Sequence, residues 1–158
     1  ATNAYRLVGE LRHRGAELSL TGRLTDELRV VTGAAWLRAR RAGPPVEAGD
    51  WSSEAVGLPA VQAMLGATWS PKRIEGFSID AQINHAGDRR APSKGDLRTP
   101  ALTTDLAFRP AFQAAGRDLV LRGRISNLTD EDGWVATRNE LLERTGRRGG
   151  RISLTANF

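Results

Sequence analysis

Every second position decides what this chain can fold into. In Phe77-Ser78-Ile79-Asp80-Ala81-Gln82-Ile83-Asn84-His85 the odd positions are mostly apolar, and the even ones are Ser, Asp, Gln and Asn. A period of two puts those sets on opposite faces of a β-strand. Residues 16–24 repeat the pattern, with Leu18, Leu20 and Leu24 set against Glu17, Ser19, Thr21 and Arg23. Residues 152–158 repeat it again, with Ile152, Leu154, Ala156 and Phe158 set against Ser153, Thr155 and Asn157. Segments 28–38, 61–70, 102–109 and 119–126 alternate with less contrast, and 5–10 reads as the end of a further strand. No stretch carries a sustained helical period, and Glu140 to Arg144 makes one turn at most. The expected fold class is all-β, an antiparallel up-and-down meander of about seven or eight strands.

The connections between these segments alternate in length. Thr25-Asp26-Glu27, 71–76 and 110–118 are short, whereas 40–59, 86–100 and 129–149 are long and polar. Transmembrane β-barrels are built this way, with tight periplasmic turns and long extracellular loops. A soluble antiparallel sheet also has one apolar face, so alternation alone leaves both open. The aromatic residues separate them. With the C-terminus taken as periplasmic, Trp69, Phe77, Phe108 and Phe158 fall on the apolar face at the periplasmic rim. Trp36 falls on the same face at the opposite rim. Rings at both interfaces around an aliphatic band form a membrane girdle, whereas a sandwich core places large rings mid-strand. The expectation is a stretch of transmembrane β-barrel in the bacterial outer membrane. Its last strand, with Ile152, Leu154, Ala156 and terminal Phe158, resembles the signal read by the outer-membrane assembly machinery.

Composition closes off other chemistries. No apolar run approaches the ~18 residues of a membrane helix, and the chain has no cysteine, which removes disulfides, thiol catalysis and Cys-based zinc sites. His13 and His85 are too few and too separated for a metal site or a triad. No catalytic residue, metal or cofactor is expected. The formal net charge is +5, and all but Lys72 and Lys94 of the 23 basic residues are arginine. That balance suits anionic lipid head groups or an anionic ligand. Nucleic acid is not the expected partner, because no basic stripe studded with aromatics follows any single element.

Several stretches resemble the C-terminal barrel of TonB-dependent receptors of the siderophore type. Gly9-Glu10-Leu11-Arg12-His13-Arg14-Gly15-Ala16-Glu17 is similar to the family's "G-E-x-x-S-R-G-V-E" hairpin, with His13 at the tip in place of serine. Leu58-Pro59 and Thr99-Pro100 match its prolines at the base of extracellular loops. Asn127-Leu128-Thr129-Asp130 with Trp134 resembles its "N-L-x-D" and nearby aromatic. Arg147-Arg148 with Ser153-Leu154 echoes the closing "P-R-x-x-x-x-S-L", although Arg147 stands where the family has proline. The resemblance implies a barrel of about 22 strands filled by an N-terminal plug domain, of which this chain is the C-terminal portion. It also implies that the plug and signal peptide belong to chain upstream of Ala1.

On this reading Glu17, Arg23, Arg29, Gln62, Asp80, Gln82, Asn84, Asp105, Arg122 and Arg124 line the lumen as candidate plug contacts, or pair among themselves as a wet wall. In the outer loops Arg40, Arg41, Trp51, Arg89, Arg90 and Trp134 are candidates for capturing an anionic metal chelate, since guanidinium holds oxyanions bidentately. Rim arginines are equally suited to lipopolysaccharide phosphates, and a plain solvated loop surface is the third reading. The implied partners are the plug, the TonB complex, the assembly machinery, lipid and lipopolysaccharide, and a ferric siderophore or similar scarce ligand. The residues themselves leave two alternatives open: a self-contained eight-stranded membrane barrel with a structural or adhesive role, and a soluble basic β-protein that binds nucleic acid.

Overall fold

A computed structural model describes residues 9–90, 96–97, 102–136 and 141–156. The main strands are β1 (Glu10–Arg23), β2 (Leu28–Ala42), β3 (Val61–Trp69), β4 (Ser78–Ala86), β7 (Leu102–Arg109), β8 (Ala111–Ala114), β9 (Arg117–Ser126) and β12 (Gly149–Ala156). They form one eight-stranded antiparallel sheet in the order β1-β2-β3-β4-β7-β9-β12, with β8 also paired to β9. This is the up-and-down meander expected from the alternation. The long connections carry small elements of their own: the one-turn helix α1 (Pro44–Glu47), the ribbon β5 (Arg89–Arg90) with β6 (Asp96–Leu97), and the ribbon β10 (Trp134–Ala136) with β11 (Leu142–Arg144).

Four expectations change. Glu10 to Glu17 is no hairpin: it lies within the 14 residues of β1, and His13 sits mid-strand opposite Ala39. The bare Gly15 backbone explains the continuity, since a Cβ there would strike the Trp36 carbonyl. Residues 110–118 are no simple connection either. β7 and β8 share one register with β9, and the Pro110 carbonyl still accepts from the Leu121 N–H at 3.0 Å. Proline lacks only the donor, so the strand runs on to a turn at Ala115 (φ 54) and Gly116 (φ 71). Third, Leu142 to Arg144 is strand, paired with Trp134 to Ala136. Fourth, the helical turn falls instead at Pro44–Glu47, where proline suits a first turn. Residues 5–8, Lys94, Arg98, Thr99-Pro100, Glu140 and Phe158 lie outside the described residues.

The two faces of the sheet are inverted relative to a soluble layer. Among the described residues the buried hydrophobic is Ala55, and no large side chain is fully buried. Leu18, Leu20, Leu65, Ile83, Ile152 and Leu154 are all exposed, Ile152 by 77%. Along β4 the polar residues Ser78, Asp80, Gln82 and Asn84 are more covered than Ala81, Ile83 and His85. The apolar face is smooth at one pinch point, where the Phe108 ring lies across Gly123 in the place a Cβ would occupy. Such filling of a strand glycine by a neighbouring ring is a known device of sheet packing. The Thr32 hydroxyl, on the same face, donates to the Met64 carbonyl at 2.9 Å, which leaves no free donor facing outward there.

Candidate functional site

Cross-strand register sets every lumen candidate on one face. Arg23 stands opposite Arg29, Arg29 opposite Thr68, Thr68 opposite Asp80 and Gln82 opposite Asp105. Glu17 joins Gln62 through Ala35, and Asn84 faces Met64. Arg124 and Arg122 complete the wall on β9, opposite Arg151 and Ser153. Many of these groups satisfy one another. Arg124 Nη2 meets Asp105 Oδ2 at 2.6 Å, while Asp105 Oδ1 accepts the Asn127 N–H at 2.9 Å. Thr68 Oγ1 donates to Asp80 Oδ1 at 2.6 Å, Gln82 Nε2 to Asn84 Oδ1 at 2.7 Å, and Arg122 Nη1 to Thr155 Oγ1 at 3.1 Å.

Two hollows of about 520 Å³ each open on this wall. The one near the long loops is lined by Glu17, Gln62, Asn84, Arg89 and Thr103, with Val135 and Thr145 of the third loop reaching over it. The other, near the short turns, gathers Asp80, Arg109, Arg122, Arg124 and Arg151. Arg109 and Arg151 were not among the sequence candidates. Continuing the alternation of β9 across to its partner strand would have found them.

The outer-loop candidates divide into three places. Arg41 lies over the Trp51 ring, 5.7 Å from its centroid. Arg40 Nη1 approaches Ser53 Oγ at 3.4 Å, and Arg90 ion-pairs with Glu54 through Nε at 3.0 Å and through Nη2. The hydrogen bond and charge of Arg90, and then the charges of Arg40 and Arg38, hold the Glu54 carboxyl below its ordinary range. Arg89 turns toward the lumen, and its buried Nε has no hydrogen-bond partner among the described residues. Trp134 stands apart on β10, opposite Arg144. His13 and His85 fall on opposite faces of the sheet, and no metal-binding cluster occurs among the described residues.

The "N-L-x-D" stretch is a knot of local bonds. Asn127 adopts φ 51 and is 7% exposed. Its Nδ2 donates to the carbonyls of Glu131 (2.7 Å) and Gly146 (3.0 Å), and its Oδ1 accepts the Glu131 N–H (3.0 Å). Asp130 receives Arg147 Nε at 3.0 Å, Arg147 Nη2 at 2.6 Å and the Arg148 N–H at 2.9 Å. Arg147, at the position of the family's proline, therefore joins Asn127 and the Arg148 N–H in tying the two ends of the loop together.

Trp36, Trp69 and Phe108 share the apolar face, Trp36 opposite Val61 at one end of β3 and Trp69 at the other, in line with Ile79 and Phe108. Phe77 stands half-buried one residue before β4. Ile152, Leu154 and Ala156 share that face, opposite Gly123, Leu121 and Leu119. Phe112, opposite Leu119 on β8, belongs there too. The sequence reading missed it by stopping the strand at Pro110.

An apolar face left bare outside and a polar face hollowed inside, beneath three long loops, define a segment of β-barrel wall. The chain belongs to the TonB dependent receptor-like, beta-barrel family, whose profile matches residues 1–128. It is 28% identical over 140 residues to the ferrichrome receptor FcuA of Yersinia enterocolitica, covering 88% of this chain and 18% of that protein. Its fold matches that of BauA, the ferric preacinetobactin receptor of Acinetobacter baumannii, with a TM-score of 0.81 at 23% identity, over 96% of this chain and 23% of that one. The chain thus spans about a fifth of the length of these relatives.

Proposed function

We propose that this chain is part of the barrel wall of an outer-membrane receptor that takes up a ferric siderophore or similar scarce chelate with energy from TonB. The observation that carries the reading is the inverted sheet, in a chain of a receptor family. The bare aliphatic face suits hydrocarbon, and no described helix is long and apolar enough to cross a membrane instead. Among the described residues β1 and β12 do not pair with each other, which supports a wall shared with further strands of a receptor over an eight-stranded barrel closed on itself. Lipid does not tolerate open edges, whose unpaired groups cost several kcal/mol each. The polar wall then faces a plug domain carried elsewhere in the receptor, with Arg109, Arg122, Arg124 and Arg151 offering sites for its carboxylates. The loops capture the chelate and the wall itself makes and breaks no bonds.

The test is uptake of radiolabelled ferric chelates, ferrichrome among them, by iron-starved cells with and without the intact receptor gene. Expected is uptake of at least one chelate that needs both the receptor and TonB. A receptor that reaches the outer membrane but supports no TonB-dependent chelate uptake overturns the reading.

A further inference from the structure

Four arginines meet on the outward face of the β1–β2 hairpin, immediately beyond the Trp36 girdle. Ala16 stands opposite Trp36; the next outward row pairs Arg14 with Arg38, and the one after pairs Arg12 with Arg40. Like charges directly opposite each other destabilise a sheet, so two consecutive rows of them call for a counter-anion. The chain supplies little. Glu10 contacts Arg12 at 2.7 Å, and Glu54, bridged across the sheet to Arg40 and within reach of the Arg38 charge, is already ion-paired with Arg90. Arg14 and Arg38 make no hydrogen bond or ion pair among the described residues, and all four arginines are exposed.

Their height matters. At about 3.3 Å per residue and a tilt near 40°, the two rows stand about 5 and 10 Å above Trp36 along the membrane normal. The polar head-group zone begins at the girdle and is about 5–7 Å deep on each side. Flexible arginine stems extend that reach. We propose that Arg14 and Arg38, flanked by Arg12 and Arg40, bind a phosphate of the phosphorylated glycolipid in the outer leaflet. A single phosphate accepts from two guanidinium forks at once, and its charge removes the repulsion between them.

This inference rests on the membrane reading above, and the experiment separates the two. The intact receptor is purified in mild detergent and titrated with bisphosphorylated lipid A, with the same lipid A dephosphorylated, and with inorganic phosphate. Variants are Arg14→Gln/Arg38→Gln, each single change in case the double fails to fold, and Arg73→Gln at the opposite rim. Heat-modifiable gel mobility reports folding. Expected is about tenfold weaker binding on dephosphorylation or on loss of Arg14 and Arg38, with Arg73→Gln indistinguishable from wild type. A folded outer-membrane receptor whose lipid A binding ignores both changes overturns this proposal alone. Competition by inorganic phosphate at equal concentration also overturns it, in favour of a free-anion site. A receptor absent from the outer membrane overturns both readings.

Discussion

Asp130 gathers three donors, two from the Arg147 guanidinium and one from the Arg148 backbone. The Arg147 hydrogen bonds first, and then the Arg148 N–H, hold its carboxyl well below the usual carboxylate range. The hydrogen bonds that Arg144 donates to Asp132 likewise hold that carboxyl below its ordinary value. The sign follows from linkage: a depressed carboxyl pKa contributes stability above the ordinary value of 3.8, lost only as pH falls through the lower folded value. Protection of the Arg148 amide from hydrogen exchange, corrected for intrinsic rate, is therefore expected to stay constant from neutral pH down to about 4. Asp130→Asn lowers it throughout that range. Loss of protection in the wild type above pH 4 contradicts the assignment. None of this was legible beforehand. The sequence shows Asp130 and Arg147 as members of two separate motifs at the ends of a long loop and not as a pair, and what joins them is the left-handed turn at Asn127, a conformation its side chain stabilises by local hydrogen bonding.

At the scale of elements, alternation located the main transmembrane strands and which face each residue takes, because pleat parity survives errors of boundary. It failed where one residue stood for a break. Pro110 reads as a strand end, yet it costs the ladder a single donor, and the shared register of β7, β8 and β9 carries through it. The stretch from Gly9 to Glu17 reads, by its resemblance, as a hairpin with His13 at the tip, yet Gly15 is there for a close approach to Trp36. The β8–β9 hairpin offers a check. Both turn residues have positive φ, the geometry of a two-residue hairpin turn for which Asn-Gly is preferred. Ala115 is the strained member, since only glycine and small polar residues adopt that region readily. Ala115→Asn is expected to stabilise the hairpin by about 0.5–1 kcal/mol, read as slower exchange of the Arg117 and Leu119 amides. Equal or faster exchange would show that the turn is not of this type.

For the whole molecule, the question is where the tryptophans lie, because exposure cannot tell them apart. Trp36, Trp69, Trp51 and Trp134 are 51, 43, 46 and 47% exposed. Register does separate them. Trp36 and Trp69 bracket the nine residues of β3 on the apolar face, a rise of about 26 Å along the strand and about 20 Å along the normal of a tilted barrel. That is close to the ~25 Å apolar band of outer-membrane barrels. Trp51 and Trp134 lie in the long loops. In receptor variants that keep one of these tryptophans, brominated lipids are expected to quench Trp36 and Trp69, most strongly when the bromines lie near the head group. Trp51 and Trp134 should answer only to iodide in water. Leu65, midway along β3 and opposite Ile83, provides the depth control: the indole introduced by Leu65→Trp should be quenched best by bromines deep in the acyl chain. A soluble sheet burying the same apolar face leaves Trp36, Trp69 and that introduced indole equally blind to lipid, whereas hydrocarbon contact orders them by depth, and only the second pattern is compatible with an inside-out wall.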